Sequence, residues 1–382
     1  MLMERKITIA IVAGIRSQFI KLCSFQRMFN SIDVSVKSRF NFIYVDAGQH
    51  YSRDLAQGFI EGLGIKFDYT LRHNVKIPIN ILGSMIVGLY ELFIDIQNHN
   101  GLDYVIVFGD ANATLAGAIA ASKAHIKLIH VESGLRVGNK SSPEEGNRIV
   151  ADHLATIRFV SNKPDFNNIT KEGLADFTFF SGDIIYDLVL DIKKHGFSQI
   201  NIEENQCSRT YERENFVIAS MHREENLREG ILARLFKVLG EIDHDVLFIA
   251  HPRENNEIRN LKYDRNKITV SNHINYSDML SAISKCKYII TDSGAIQREA
   301  YYLEKRCLIR QDRAFWQSLV DLNAHRLIGK TSYEMFEGVE WVEKAIRDTT
   351  TYPKTDDLGC GNAVETILRK IIEVGVCDND VE

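Results

Sequence analysis

Three carboxylates stand where proton chemistry could begin. Asp110 follows the apolar run Tyr104–Phe108, Glu132 follows Leu128–Val131, and Glu144 lies in Pro143-Glu144-Glu145-Gly146-Asn147-Arg148. Removing a proton from a weakly acidic carbon needs a well-placed carboxylate or imidazole of raised pKa, and returning it to the other face needs a second acid. Any one acid at a strand end is also an ordinary cap or salt-bridge partner; a set of three is harder to dismiss. Two histidines occupy comparable places, in Met221-His222-Arg223-Glu224-Glu225-Asn226 and Ala250-His251-Pro252-Arg253. Each can donate to a phosphate oxygen or steady a leaving group, and each also reads as a satisfied buried imidazole. No third ligand has the spacing to make them a metal pair.

Anion-holding groups form a second set. In Thr291-Asp292-Ser293-Gly294-Ala295-Ile296-Gln297-Arg298-Glu299 a strand ends and a helix opens, so Ser293 and Gly294 fall where free N–H groups favour phosphate. Glu299, one to two turns on, could accept hydrogen bonds from a ribose diol. An Asp/Ser N-cap explains the same residues without a ligand. Gly14-Ile15-Arg16, with Lys21 about a turn further, places two cations beside another helix start and suits a diphosphate. Neither segment is a G-x-G-x-x-G or a P-loop.

The elements that must position these residues are short apolar runs alternating with amphipathic segments. Ile7–Val12, Phe42–Val45, Tyr104–Phe108 and Leu128–Val131 are apolar for most of their length, the mark of parallel strands covered on both faces. Helices are expected over about Ser17–Phe29 and Ala113–Lys123. A polar stretch between Lys193 and Glu214 interrupts the pattern, which restarts with Phe216–Ala219, Val246–Ala250, Ile268–Val270 and Tyr288–Thr291. The expectation is an α/β protein of two Rossmann-like doubly wound domains facing across a cleft: residues 1–190 joined by a C-terminal helix, 362–382, and residues 191–361. In open parallel sheets ligands bind beyond the carboxyl ends of strands. Arg16, Gln49-His50, Asp110, Glu132, His222, His251 and Ser293-Gly294 all fall at such ends.

The chain has 382 residues, 45% hydrophobic and 25% charged, a globular and not a disordered composition. Forty-six basic against fifty-one acidic residues leave −5, which disfavours a nucleic-acid or anionic-membrane partner. No run of about 18 apolar residues is apparent, so no membrane insertion is expected. The start runs directly into a strand pattern without a cleavable signal. Six scattered cysteines, none in C-x-x-C, indicate neither a disulfide framework nor a zinc site. Together these features read as a cytoplasmic protein.

In order along nearly the whole chain, the motifs resemble the non-hydrolysing UDP-N-acetylglucosamine 2-epimerase family. They are Gly14-Ile15-Arg16 with Lys21, Ala47-Gly48-Gln49-His50, Gly109-Asp110, His130-Val131-Glu132-Ser133-Gly134-Leu135-Arg136 and Pro143–Arg148. His222–Asn226, His251-Pro252 and Asp292–Glu299 complete the series. The resemblance implies the glycosyltransferase-B type fold and a UDP-activated 2-acetamido sugar as substrate. It implies inversion at C2 by anti-elimination of UDP through a 2-acetamidoglucal, then re-addition, with no metal or redox cofactor and a homodimeric assembly. It makes Asp110, Glu132 and Glu144 the acid/base set and has His222 assist the diphosphate. Arg16, Lys21, Ser293 and Gly294 would hold the diphosphate and Glu299 the ribose. Gln49, His50, Arg136, Arg148, Arg223, His251 and Arg310 complete the binding groups, and an activating second UDP-sugar would sit near the Gln-His and His-Arg motifs. The chain departs from the family at Gly14-Ile15-Arg16-Ser17-Gln18, where Gly-Thr-Arg-Pro-Glu is usual. It departs again at Arg310–Ser318, where Ala314, Phe315, Gln317 and Ser318 replace Thr, Glu, Pro and Glu. Competing readings are a hydrolysing relative, a glycosyltransferase, and a nucleotide-sugar-binding protein without turnover.

Overall fold

The apolar runs become central strands. In the computed structural model, Ile7–Ala13 (β1) is buried at six of its seven positions, and Tyr104–Phe108 (β4) at all five. Residues 5–49, 53–73, 78–138, 141–197, 201–204, 207–210, 216–227, 230–251, 254–271 and 274–379 are described. They divide into two compact units, Met1–Leu188 with Asp356–Glu382, and Val189–Thr355.

The sheet of the first unit adds Phe40–Asp46 (β2), Tyr69–Thr70 (β3), Lys127–Val131 (β5), Ile157–Val160 (β6) and Thr178–Phe180 (β7). It is parallel throughout, in the order β3-β2-β1-β4-β5-β6-β7. Strand order reverses at β1, so the chain leaves β1 and β4 side by side and their carboxyl ends form a switch point. The helix Asn112–Lys123 lies close on the sheet because its inner residues are small: a Cβ on Gly117 would come within 2.8 Å of Val107 Cγ1. Over it packs the helix Pro78–Asn100, which turns Ile81, Met85, Leu89, Phe93 and Ile96 into the core. By length and composition this helix could cross a membrane, contrary to the expectation that no segment would. Asn80, Ser84, Glu91 and Asp95 interrupt its apolar run, and its three-to-four-residue apolar stripe is that of a helix packed on one face.

The second unit repeats the design. Its parallel sheet contains Phe216–Ser220 (β10), Asp245–Ile249 (β11), Ile268–Ser271 (β12), Ile289–Thr291 (β13), Cys307–Ile309 (β14) and His325–Leu327 (β15). Their order is β12-β11-β10-β13-β14-β15. Here β10 and β13 flank the switch point. The polar interruption seen in the sequence holds an antiparallel hairpin, Asn201–Glu204 (β8) with Cys207–Thr210 (β9), which its polar composition did not signal.

The chain returns to the first unit through Asp356–Asn362. Gly182 (φ +80°) and Gly359 (φ +85°) meet there so closely that a Cβ on Gly359 would lie 2.7 Å from Gly182 Cα. The helix Ala363–Asn379 then buries Ala363, Val364, Ile367, Leu368 and Ile371 and packs on Arg16–Ser31. Asp187 caps it, accepting from Ala363 N at 3.0 Å and Val364 N at 2.9 Å.

Candidate active site

At the switch point of the first unit the buried amide of Gln18 joins two strand ends. Its Oε1 accepts from Gly14 N at 2.9 Å, and its Nε2 donates to Phe108 O and Thr114 Oγ1. Lys21, one turn further along the helix Arg16–Ser31, is thereby aimed across β4. Its ammonium pairs with the Glu132 carboxylate and passes 3.0 Å from where a Cβ on Gly109 would stand. Gly109 therefore has two reasons to be glycine, the close ammonium and its own φ of +62°.

Glu132 itself has φ +68°, a left-handed conformation that is costly for a residue with a long side chain. The turn is held from both sides. Ser133 N donates to Phe159 O at 3.1 Å, and a Cβ on Gly134 would come within 2.7 Å of Asp165 O. Beneath it, His130 lies between Asp152 (Nδ1···Oδ1 2.6 Å) and Gly109 O (Nε2···O 2.7 Å). Burial opposes the charge on Asp152, yet His130, Ser133 and Arg136 hold its carboxyl well below the usual carboxylate range.

Asp110, half-buried, pairs with Arg148. Burial pushes its carboxyl above the usual range; Arg148 and Lys21 oppose that shift, while Glu132 and Glu144 add to it. The site thus presents two carboxylates, each against its own cation, with Asp110 poised to hold a proton more tightly than an exposed aspartate. Glu144 is exposed at the start of the helix Pro143–Leu154 and accepts from Ser142 Oγ at 2.5 Å. It is the neighbouring Glu145 that is buried, accepting from Val137 N and Gly138 N and lying 3.4 Å from Arg148.

In the second unit a single fully buried carboxylate, Asp292, organises the turn after β10. It accepts from His222 N (2.9 Å), Arg223 N (2.9 Å) and Asn226 Nδ2 (2.8 Å). Glu254, also fully buried, receives His251 N at 3.1 Å and holds His222 Nδ1 at 3.2 Å. Ser293 is the N-cap of the helix Gly294–Tyr302 and makes no side-chain capping bond. Phe315 covers this helix start, 3.4 Å from where a Cβ on Gly294 would be, and the Arg223 guanidinium stacks on its ring at 4.6 Å. Trp316 Nε1 donates to Gly294 O, and Arg298 stacks on Trp316.

The structure gathers Lys21, Asp110, Glu132 and Arg148 at one switch point, with Glu144 at the rim, and His222, Arg223, His251, Ser293 and Gly294 at the other. Several of the expected residues also have protein partners of their own. Lys21 pairs with Glu132 and lies over Gly109. Arg136 is locked by Glu172 (2.7 and 2.6 Å) and Asp152 (2.7 Å), which raise its pKa despite burial. Arg16 stacks on Phe59 at 4.6 Å. Gln49 accepts from Ala113 N at 2.8 Å and so braces the next helix start. Glu299 and Arg310 are buried, at 3% and 1% exposure. His50 lies outside the described residues. Sequence reasoning passed over Asp152, Asp165 and Asp292. Only Asp292 carried a signal, as the residue before Ser293-Gly294.

A sequence model of the family described as UDP-N-acetylglucosamine 2-epimerase matches residues 33–372. A Pseudomonas aeruginosa protein named UDP-2,3-diacetamido-2,3-dideoxy-D-glucuronate 2-epimerase is 30% identical over 83% of this chain and 87% of its own. A Methanococcus maripaludis UDP-N-acetylglucosamine 2-epimerase is 29% identical over 89% and 92%. Among solved structures, the Methanocaldococcus jannaschii UDP-GlcNAc 2-epimerase in complex with UDP-GlcNAc and UDP has a TM-score of 0.75 at 23% identity, covering 96% of this chain and 100% of that one. The Neisseria meningitidis UDP-GlcNAc 2-epimerase bound to UDP-GlcNAc reaches 0.78 at 23%, again over 96% of this chain and 100% of the other. The likeness to the solved structures shows a common α/β fold, and the sequence match goes further: from residue 33 to residue 372 this chain belongs to the UDP-N-acetylglucosamine 2-epimerase family of UDP-sugar epimerases.

Proposed function

We propose that the protein inverts C2 of a UDP-activated 2-acetamido sugar, either UDP-N-acetylglucosamine/UDP-N-acetylmannosamine or a modified UDP-2-acetamido hexose, without net hydrolysis. A carboxylate takes the C2 proton as the C1–O bond breaks. The C–H electron pair becomes the C1–C2 double bond of the glucal, and the C1–O pair leaves with UDP. An acid on the opposite face then returns a proton to C2 while UDP oxygen closes on C1. Because the C2 proton is not beside a carbonyl, its loss must be coupled to departure of the diphosphate. That coupling calls for charged groups fixed in advance.

The observation that carries this reading is the pair of carboxylates Glu132 and Asp110, each against its own buried cation at one switch point, with Glu132 in a strained backbone conformation. Strain of this kind is kept where a side chain must be aimed. In this reading Asp110, Glu132 and Glu144 are the acid/base set of the first unit. The second unit holds UDP through Ser293, Gly294, Arg223 and His222, whose Nδ1 is occupied by Glu254 so that Nε2 is the nitrogen turned to the diphosphate. The names of the relatives favour two substrates, UDP-N-acetylglucosamine and UDP-2,3-diacetamido-2,3-dideoxy-D-glucuronate. A homodimer is the proposed assembly, read by light scattering.

The test is an NMR time course in D₂O with these UDP-sugars. Deuterium entering C2 with a second UDP-sugar epimer accumulating supports the reading. Free sugar and UDP as end products would make the protein a hydrolysing enzyme, and no exchange with any UDP-2-acetamido sugar would sink the proposal.

A further inference from the structure

Three cations at or beside the first switch point are held by carboxylates. Lys21 pairs with Glu132; Arg148 pairs with Asp110 and lies near Glu145; Arg136 is held by Asp152 and Glu172. One further carboxyl faces this group. Asp165 stands in the first turn of the helix Lys163–Lys171, is 6% exposed, and has no hydrogen bond or ion pair to its carboxyl among the described residues. Its backbone lies against Gly134, two residues after Glu132. The charged groups that face it are Glu132 and Arg136 from the turn after β5, and Arg148 and Asp152 from the helix Pro143–Leu154.

We propose that Asp165 is a further positioning residue for the reaction: as a neutral acid it leaves Glu132 to Lys21 and Arg148 to Asp110, and as an anion it disrupts both pairs. This rests on the reading that Glu132 and Asp110 belong to the acid/base set. A buried carboxylate without a cation is costly, so the group keeps its proton until the surroundings force it off. Burial, reinforced by the charge of Glu132, pushes the Asp165 carboxyl up to about 7, against the pull of Arg148 and Arg136. Once ionised, it repels Glu132 and competes with Asp110 for Arg148. Proton abstraction therefore declines as the pH rises through neutrality. No group on the substrate is required to explain the decline.

The experiment is the rate of deuterium entry at C2 from about pH 5.5 to about pH 9, for the unaltered protein, D165N and D165E. For the unaltered protein the rate should fall as Asp165 ionises, approaching about tenfold per pH unit well above its pKa. D165N cannot ionise, so whatever its rate at acid pH, its profile should lack that fall. The ratio of D165N to unaltered rates should then rise about fivefold between pH 7 and pH 8 and further above it. D165E keeps the carboxyl and should keep the fall. If D165N does not fold, D165S removes the same charge and is read in the same way. Profiles of one shape for all variants, whatever their height, would overturn the role of Asp165 alone. Absence of C2 exchange with every UDP-sugar would overturn the proposed function and this role together.

Discussion

Glu132 and Lys21 are the residues on which the proposed chemistry turns, and they should fail differently. Glu132→Gln keeps the shape of the side chain and removes the base. C2 exchange should drop by about 10²–10⁴-fold with UDP affinity little changed, as measured by exchange rate and calorimetric titration. Lys21→Met leaves Glu132 buried without its cation. Breaking such a pair costs roughly 3–5 kcal/mol, so this variant should lose stability as well as rate in a denaturation curve. If K21M were as stable as its parent and equally active, the pair would be ornamental. That Glu132 ends a strand was readable from the sequence; that it does so at φ +68° was not. The turn that holds it is closed by the fit of Gly134 against the helix Lys163–Lys171, far along the chain. Asp165 was hidden for a related reason. An acid after proline at a helix start is common, and only packing shows that every nearby cation is already taken.

At the scale of the element, the turn after β10 depends on a carboxylate from the turn after β13. Asp292 gathers two backbone N–H groups and an amide from residues 222–226. With Asp292→Ala those donors lose their acceptor, costing about 2–4 kcal/mol in a unit where each buried bond to a charged group is worth roughly 1.5–3 kcal/mol. The same change should weaken UDP binding about tenfold or more, because His222 and Arg223 lose their placement. Binding unchanged by D292A would separate this turn from nucleotide recognition. The strands that flank both switch points were legible because they are continuously apolar. The short strands β3, β7, β14 and β15, three of them at sheet edges, were not, being two or three residues long. The hairpin β8–β9 gave no signal either, since its residues are largely polar and unalternated. Of the motif Arg310–Ser318, the sequence disclosed that it departs from the family but not that Phe315 had become the cover of the helix start and the platform for Arg223.

For the whole molecule, two buried acids should make stability depend on pH. Burial pushes Asp187 up to about 6 and Asp165 up to about 7. In the unfolded chain both return to about 3.9. The folded state therefore holds these protons more tightly, and the stability they contribute is complete below about pH 4 and lost as the pH rises through 6 and 7. The decline should amount to a few kcal/mol, since each tenfold gain in proton affinity on folding is worth about 1.4 kcal/mol before relaxation reduces it. Urea midpoints at pH 5 and pH 8 read it. D165N and D187N should each flatten the difference, and variants with an undiminished slope would refute the assignment. The two-unit plan was legible from the interrupted alternation of strands and helices. The way the returning segment begins, with Leu358 O accepting from Asp183 N and two glycines pressed together, was not, because it depends on a meeting of residues 182 and 359.

That meeting bears on synthesis. The first unit is made from both flanks of the second, so its sheet can be translated in full while the surface beneath the helix Ala363–Asn379 is still bare. Residues 189–355 leave the ribosome as one uninterrupted stretch and can close on themselves at once. The earliest helix, Arg16–Ser31, thus waits for its partner Ala363–Asn379 until the far end of the chain emerges. An apolar face left bare during translation is the kind of surface that chaperones cover.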